Sequence, residues 1–367
     1  MGLTERFRDP ELGKRIVARI RARVGREGGR PLKIMEVCGT HTMAISRAGI
    51  RDLLRGCVRL VSGPGCPVCV TDEADLDRMI ALARLPGVII TTFGDMVRVP
   101  GSHSYLLLEK SRGAEVRVVY SPLDAVEVAE ENPGKKVVFL GVGFETTVPV
   151  VALALEEARE RRVNNFLVYS AHKLVPPALE ALLSDPEIEI DAFLYPGHVS
   201  TVLGRQAYEG LHTRYRVPAA IAGFEPLDIL QAIDLLVDEV KAGRGGVLNA
   251  YPRAVREEGN PYAREAITRC FQPADAPWRG LGVIPASGLQ VREEFSAHDA
   301  ARQLPVEVPP PRRARGCSCG EVLKGKIEPP QCLLFGGACT PANPVGPCMV
   351  SGEGACAAYY HYERRGS

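Results

Sequence analysis

The stretch that decides the fold is residues 34–69, IMEVCGTHTMAISRAGIRDLLRGCVRLVSGPGCPVC. It contains two short apolar runs, Ile34–Val37 and Val58–Val61, and each run leads into a glycine-containing loop with cysteine. Short apolar runs bounded by turn residues are typical of buried strands. Strands that alternate with helical patterns form parallel sheets covered by helices on both faces. The stretch therefore predicts an α/β fold whose strand ends carry thiols.

The same alternation continues beyond this stretch. Six further apolar runs predict strands at Val88–Thr92, Val116–Tyr120, Val137–Leu140, Phe166–Tyr169, Ala192–Tyr195 and Ala219–Ala222. Helix-start signals lie between them, such as Asp72 and the pair Ser121 and Pro122. The tripeptide GFE follows a strand at 143–145 and again at 223–225. We interpret this echo as two four-stranded modules, residues 33–120 and 121–223.

The amino-acid composition changes after a helical pattern at Pro226–Lys241. Glycine, proline and cysteine become frequent, and few apolar residues remain to form a core. A bound metal or cluster would supply the missing stabilisation. We therefore expect a third, loop-rich iron–sulfur domain over residues 224–367, joined by the N-terminal helix within 1–32.

Composition and charge exclude several classes of protein. The 367 residues are 46% hydrophobic and 24% charged, and 45 basic against 44 acidic side chains give a net charge of +1. This balance argues against nucleic acid or an anionic membrane surface as a partner. No apolar run reaches the ~18 residues of a membrane span, and the N-terminal residues lack the apolar segment of a signal peptide. We expect a cytoplasmic protein.

Eleven cysteines are the main anomaly for such a protein. Reducing compartments disfavour structural disulfides, so metal binding or thiol chemistry explains the cysteines better. Cys57 and Cys270 stand apart from the others and are interpreted as small buried hydrophobic residues. The remaining nine fall into two loops near the N-terminus and into residues 317–356 of the tail.

Cys66 and Cys69 form a C-x-x-C motif between a predicted strand and the helix that begins near Asp72. At a helix start, such a loop brings the sulfurs within disulfide reach, and the helix N-terminus stabilises a thiolate. This favours a redox pair or metal chaperoning. The alternative is half of a zinc knuckle, although the chain has no second C-x-x-C.

Cys38 and His41 are three residues apart at the end of the first predicted strand. A thiolate and an imidazole at this spacing can face one space, and iron, nickel and zinc all accept the pair. The alternatives are a Cys–His nucleophile, or a packed cysteine with a capping histidine. His172 is expected to be a hydrogen-bonded surface residue, and His198 a supporting residue of a metal site.

Other acids at strand ends are open to two interpretations. They are proton carriers, or helix caps, which is the default for a lone acid in a first turn. These acids are Asp95, Glu145 and Glu225.

The tail has the spacing C-x12-C-x6-C-x16-C, with two cysteines left over. Four thiolates without histidine suit either structural zinc or a cubane iron–sulfur cluster. Zinc sites favour closely paired cysteines, so the long irregular spacing favours [4Fe–4S]. The expected ligands are Cys319, Cys332, Cys339 and Cys356, and the cysteines left over are Cys317 and Cys348.

Several long motifs, in this order, resemble the HypD family of hydrogenase maturation factors from about residue 33 to the C-terminus. They are CGTH, GPGCPVC, the two GFE tripeptides, PGHVS, WRGLGVIPASG and the tail CGEVLKG…PPQCLLFG…CTPANPVGPCMVSGEGACAAYY. The resemblance implies two Rossmann-like α/β domains and a third domain with a [4Fe–4S] cluster. It also implies assembly of the Fe(CN)2CO group of [NiFe] hydrogenases with a HypC-type small chaperone, with cyanide delivered by a HypE-type partner.

The resemblance also implies residue roles. Cys38 with His41 would hold the iron that carries CN and CO, and Cys66 with Cys69 would be a thiol–disulfide pair, arranged as in ferredoxin–thioredoxin reductase. Two other classes stay open: a thiol–disulfide oxidoreductase of that reductase kind, and a zinc-stabilised binding module.

Overall fold

The computed structural model of the chain describes residues 5–24, 30–312 and 314–363, so parts of the N-terminal segment 1–32 lie outside it. The strands are β1 Leu32–Glu36, β2 Val58–Ser62, β3 Val88–Thr92, β4 Glu115–Val118, β5 Lys136–Gly141, β6 Phe166–Ser170, β7 Ala192–Pro196, β8 Pro218–Ala222, β9 Gly246–Asn249, β10 Phe271–Trp278 and β11 Gly282–Val291.

Helices connect most of these strands. They are α1 Pro10–Val24, α2 Gly39–Arg47, α3 Ile50–Leu53, α4 Pro67–Val70, α5 Glu73–Ala83, α6 Leu106–Ser111, α7 Pro122–Glu131, α8 Val148–Glu160, α9 Val175–Ser184, α10 Gly197–Leu203, α11 Glu209–Tyr215, α12 Pro226–Lys241, α13 Pro261–Cys270, α14 Ala300–Gln303, α15 Cys319–Leu323 and α16 Ala355–Tyr362.

All eight predicted strands are present, with ends within two residues of the expected ones. The start signals act as predicted. Asp72 caps α5 by accepting the N–H of Ala74, and Ser121 caps α7 with Pro122 in its first turn. Local sequence patterns therefore determine the elements of the α/β part.

The strands form two parallel sheets and one antiparallel hairpin. The first sheet has five strands in the order β2-β1-β7-β8-β9, and the second has four in the order β4-β3-β5-β6. Ile34 of β1 pairs with Leu60 of β2 on one side and with Ala192 of β7 on the other. The fold class is the predicted one, with two Rossmann-like units.

The grouping of strands into consecutive modules 33–120 and 121–223 is wrong. The chain leaves the first sheet after β2, builds the whole second sheet with β3 to β6, and returns as β7 to pair with β1. Buried strands with near-uniform apolar patterns carry no mark of their neighbours, so their order along the chain does not reveal which ones pair. The two GFE tripeptides nevertheless follow strands of different sheets. The first follows β5 of the second sheet, and the second follows β8 of the first sheet.

Residues assigned to the third domain also belong to the first sheet. β9 pairs with β8 in parallel, and α12 is the crossover between them. α1 packs on α12 through its buried stripe Ile16, Val17 and Ile20. An amphipathic helix buries that stripe against the nearest apolar surface, which here is a helical layer and not the cysteine-rich tail.

The hairpin β10–β11 joins the two sheet units to the tail. β11 packs against α9, and the fully buried Trp278 of β10 pairs by a bridge with Thr71 beyond α4. The tail after residue 314 has two short helices and 3-10 turns. Among the residues that the structure describes, no helix combines the length and the apolar character needed to cross a bilayer.

Candidate functional site

The two thiol loops lie side by side at the carboxyl edge of the first sheet. Cys38 follows β1 and precedes α2, and Cys66 follows β2 and precedes α4. The backbone N–H of Gly39 donates to the carbonyl of Gly65 over 3.0 Å. Gly65 also packs directly on the backbone of Cys38, where a Cβ would collide with the nitrogen. The second loop therefore requires glycine at position 65, because the backbone of the first loop lies against it.

Cys38 lies in a buried, weakly solvated environment. Burial raises the pKa of its thiol to about 12. Its backbone N–H donates to the fully buried Glu36 carboxylate over 3.2 Å, and burial likewise raises the pKa of Glu36 to about 7. A thiol with so high a pKa stays protonated near neutral pH, so a thiolate forms when a metal cation replaces the proton.

His41 is held by the second GFE tripeptide. Its Nε2 donates to the carbonyl of Gly223 over 2.9 Å, and burial lowers the pKa of the imidazole to about 4. A carbonyl accepts only, so the ring is the neutral tautomer with its proton on Nε2. Its Nδ1 is buried and has no hydrogen-bond partner. The ring therefore has an unused lone pair, which a metal, water or ligand proton can engage.

Glu353 is a site residue that the sequence analysis missed. It comes from the tail and lies against the first loop, where Thr40 Oγ1 donates to its Oε1 over 2.6 Å. A Cβ on Gly39 would collide with the Glu353 backbone and side chain. The only signal was its position between two glycines in SGEG, which indicates close packing of the backbone and names no contact.

His198 closes the open side of this edge. Phe224 of the second GFE stacks on the His198 ring at 4.0 Å between centroids and contacts the His41 ring at 4.8 Å. His198 is exposed, whereas His41 is fully buried. The structure therefore places His198 near the site, at the solvent side of the Cys38 loop.

Cys66 and Cys69 form a disulfide with a Cα–Cα distance of 5.2 Å. Both residues are buried, and the Cys66 sulfur accepts the backbone N–H of Cys69 over 3.2 Å as the cap of α4. α4 packs against the 3-10 turn Pro347–Met349, which carries Cys348. The disulfide and Cys348 share one apolar core with Trp278.

The six cysteines of the tail line one small cavity. Its remaining walls are mainly apolar, and the lining side chains are Cys317, Cys319, Val322, Cys332, Leu334, Phe335, Cys339, Cys348, Met349 and Cys356. Burial raises the pKa of the Cys356 thiol, and three neighbouring thiols raise it further, those of Cys317, Cys339 and Cys332. Within the described ranges, no three His, Cys, Asp or Glu side chains are placed to hold a single metal ion together.

These thiols fit a cubane, since four sulfur donors around an apolar cavity are what a [4Fe–4S] cluster requires. The structure brings the predicted ligands Cys319, Cys332, Cys339 and Cys356 to the cavity and adds both remaining cysteines. The Cys319 thiol raises the pKa of Cys317 by a side-chain hydrogen bond, so these two are neighbours. Cys317 and Cys319 are therefore both positioned to supply the fourth ligand, beside Cys332, Cys339 and Cys356.

The other candidate residues outside the Cys38 loop and the tail differ in part from expectation. His172 is buried and not on the surface, because it packs on Gly141 and edge-on against Phe271. Glu145 is also buried, and its Oε1 accepts the N–H of Val175 over 2.8 Å. Glu225 forms a capping box at the start of α12, which is the cap interpretation. Cys57 and Cys270 are buried, as predicted.

The fold and the site define an α/β protein with a thiol-lined sheet edge, a buried C-x-x-C disulfide and six tail cysteines that line one cavity. The family model of HypD, described as the hydrogenase formation hypA family, matches residues 11–363. The chain belongs to the HypD family of hydrogenase maturation factors.

Close relatives span the full length. The chain is 46% identical over 374 residues to the hydrogenase maturation factor HypD of Escherichia coli strain K12, with all of both chains covered. It is 44% identical over 370 residues to that of Rhodobacter capsulatus, covering 99% of this chain and 98% of the relative. It is 45% identical over 372 residues to the hydrogenase expression/formation protein HupD of Azotobacter chroococcum, covering 100% and 98%.

Proposed function

We propose that this chain is a scaffold that binds iron at Cys38 together with a HypC-type chaperone and assembles the Fe(CN)2CO group of [NiFe] hydrogenases. Cyanide would come from a HypE-type partner. The observation that carries the proposal is that three segments meet at one sheet edge: the Cys38 loop, the disulfide loop that begins at Gly63, and Glu353 of the tail.

Iron is the cargo in this proposal. Cys38 would bind it as a thiolate, and the proton released from sulfur would leave as the metal enters. Low-spin Fe(II) with strong-field diatomic ligands is stabilised by such a soft donor. His41 is neutral and has a free Nδ1, so it supports the site by accepting a proton or a hydrogen bond.

A partner is needed because one thiolate leaves most of the iron coordination open. The accessible side chains beside Cys38 are Thr40, His198 and Glu353, and none of them is fully buried. We expect the chaperone to cover this side and to supply further donors.

Cys319, Cys332, Cys339 and Cys356 would hold a resident [4Fe–4S] cluster, which supplies one-electron transfer when bound. Reduction of the Cys66–Cys69 disulfide takes two electrons and two protons and gives two thiols. Both cysteines are buried, so direct attack by a bulky thiol reductant is disfavoured. The turn with Cys348 packs on α4, so it provides a short path between the cavity and the disulfide.

The test is anaerobic co-purification of the chain with a HypC-type partner, followed by absorption and infrared spectroscopy. The proposal predicts a broad brown absorption and infrared bands of iron-bound cyanide and CO. A colourless protein that contains zinc would contradict it and favour the binding module.

A thiol–disulfide oxidoreductase is the second candidate, because a buried C-x-x-C disulfide lies beside the cysteine cavity. It predicts turnover of a protein disulfide by the brown protein without any iron at Cys38. Such turnover, together with no diatomic bands in the co-purified complex, would replace the scaffold proposal with this one.

A further inference from the structure

Arg279 is a buried cation between the disulfide helix and the cysteine cavity. It follows Trp278 at the end of β10, and only 5% of the residue is exposed. Its backbone N–H donates to Val70 O over 2.9 Å, and its Nε donates to Thr71 O over 3.0 Å. These carbonyls end the α4 segment. Arg279 therefore ties the helix of the C-x-x-C motif to the hairpin.

The guanidinium has one acidic partner and an unused donor. Its Nη1 lies 2.8 Å from Oε1 of Glu73, which is equally buried, while its Nη2 is buried without a hydrogen-bond partner. A buried N–H of a charged group that lacks an acceptor costs free energy. The unpaired Nη2 therefore remains available to interact with negative charge nearby.

The surroundings of Arg279 point to the cysteine cavity. Arg279 and Glu73 line a neighbouring cavity of about 160 Å³ together with Cys317 and Cys319. The next residue, Gly280, has a φ of +78° and packs on Gly320, where a Cβ would collide with the Gly320 backbone. This glycine contact fixes the Arg279 turn against the turn that carries Cys319.

The charge of Arg279 acts on these thiols. Its guanidinium lines the same cavity as Cys317 and Cys319, and a weakly solvated cation attracts negative charge that develops nearby. It therefore favours added negative charge on the tail cysteines.

We propose that Arg279 is a positioning residue that eases one-electron reduction of the cluster in the cysteine cavity while it holds α4 against that cavity. This inference rests on the proposed [4Fe–4S] cluster. A low-potential one-electron donor, dithionite acting through mediators in the titration below, would reduce the thiolate-bound cubane from the 2+ to the 1+ state without making or breaking a bond. A nearby cation stabilises the more negative product, and so it raises the reduction potential. Glu73 has the opposite charge and lowers it.

The test is a mediated redox titration of the anaerobically reconstituted chain, followed by electron paramagnetic resonance of the one-electron-reduced cluster. Arg279→Gln is expected to disfavour reduction at least tenfold, which is ~59 mV for a one-electron couple. Glu73→Gln is expected to shift the potential in the opposite direction, and Arg279→Lys is expected to keep most of the parent value. The control is Arg269→Gln, since Arg269 pairs with Glu156 on the surface and should leave the potential unchanged.

Opposite signs for the two substitutions separate an electrostatic effect from loosened packing, which would shift both potentials in the same direction. Equal shifts, or no shift at all, would overturn the inference while the cluster itself stands. A parent chain that holds no cluster after reconstitution would overturn both this inference and the cluster of the proposed function. If Arg279→Gln does not fold, the sign of the Glu73→Gln shift decides.

Discussion

Several buried side chains have a polar atom without a hydrogen-bond partner, unlike most buried polar groups in proteins. Glu145 Oε2, His41 Nδ1 and His172 Nε2 are all buried without a hydrogen-bond partner. Each costs free energy unless a ligand or proton satisfies it. Burial lowers the pKa of His172 to about 3, so its imidazole stays neutral below the ordinary histidine pKa. Burial raises the pKa of Glu145 to about 7, so its carboxyl group stays protonated above the ordinary glutamate pKa.

Glu145→Gln tests the pH dependence of stability that follows. The pKa of Glu145 is raised from 4.5 to about 7 on folding, so the folded state binds more protons between these values, and stability falls as pH rises through them. Glutamine keeps the acceptor for Val175 and has no charge. At pH 8 the variant should exceed the parent in free energy of unfolding, on the order of a few kcal/mol.

The measurement is urea denaturation at pH 8 and at pH 5, and the advantage should shrink at the lower pH. Glu160→Gln is the control, because Glu160 is exposed at the end of α8. A difference that is the same at both pH values would show that Glu145 does not titrate as described.

His41→Ala should weaken, without abolishing, the infrared bands of iron-bound cyanide and CO. The imidazole lies behind the Cys38 loop and is held by Gly223, so it supports the iron and is not its main ligand. Loss of such a supporting group typically costs ~10–100-fold in affinity or activity. His103→Ala removes an exposed histidine and should leave the bands unchanged. Full band intensity in His41→Ala would remove His41 from the site.

Local sequence patterns predicted where the strands and helices lie, but they did not predict which strands pair. Apolar runs and caps located eight strands and helices such as α12, whose bounds are the predicted ones. The order β2-β1-β7-β8-β9 could not be predicted, because β7 returns to β1 after a whole second sheet. The hairpin β10–β11 was missed because Pro273, Pro277 and its glycines resemble loop sequence.

The candidate site shows the same limit. Cys38, His41, Cys66 and Cys69 were found because their loops follow strands, and parallel strands align those ends. Glu353 could not be found in this way, because its contact with Gly39 is between residues more than three hundred positions apart. Long-range contacts of this kind depend on the packing of the tail.

Cys66→Ser and Cys69→Ser test the role of α4. Serine at position 66 retains an oxygen that can cap the helix, so the element should persist while the disulfide is lost. We expect reversible thiol oxidation at this motif to disappear and the brown absorption to remain, as read by alkylation with mass spectrometry and by the visible spectrum. Bleaching in either variant would place these cysteines among the cluster ligands.

In the whole molecule, the tail contacts both thiol loops of the first sheet. α16 packs on α2. Arg51 of α3 forms an ion pair with Glu363, which follows α16, and stacks on the Tyr359 ring of α16 at 4.5 Å. The same tail carries Glu353 to the Cys38 loop and Cys348 to α4. A cluster in the cysteine cavity would cross-link the tail segments and so stabilise both contacts.

Cys356→Ala should therefore bleach the absorption and also loosen the tail from the first sheet. Hydrogen exchange should become faster in residues 351–363 and at the start of α2, while the second sheet keeps its protection. Cys317→Ala and Cys319→Ala, measured in parallel, show which of the two neighbouring thiols is the fourth ligand. Retention of four irons per chain in Cys356→Ala would refute the proposed ligand set.

We propose that Cys38 carries the iron on which the diatomic ligands are assembled. The test is the infrared spectrum of the Cys38→Ala chain co-purified with its HypC-type partner, beside the Cys57→Ala control, whose buried thiol donates to Leu54 O over 3.0 Å. This role of Cys38 predicts no bands of iron-bound cyanide or CO in Cys38→Ala, parent-level bands in Cys57→Ala, and an intact brown absorption in both. Diatomic bands at full intensity in a folded Cys38→Ala complex would contradict it, because the iron would then be held elsewhere.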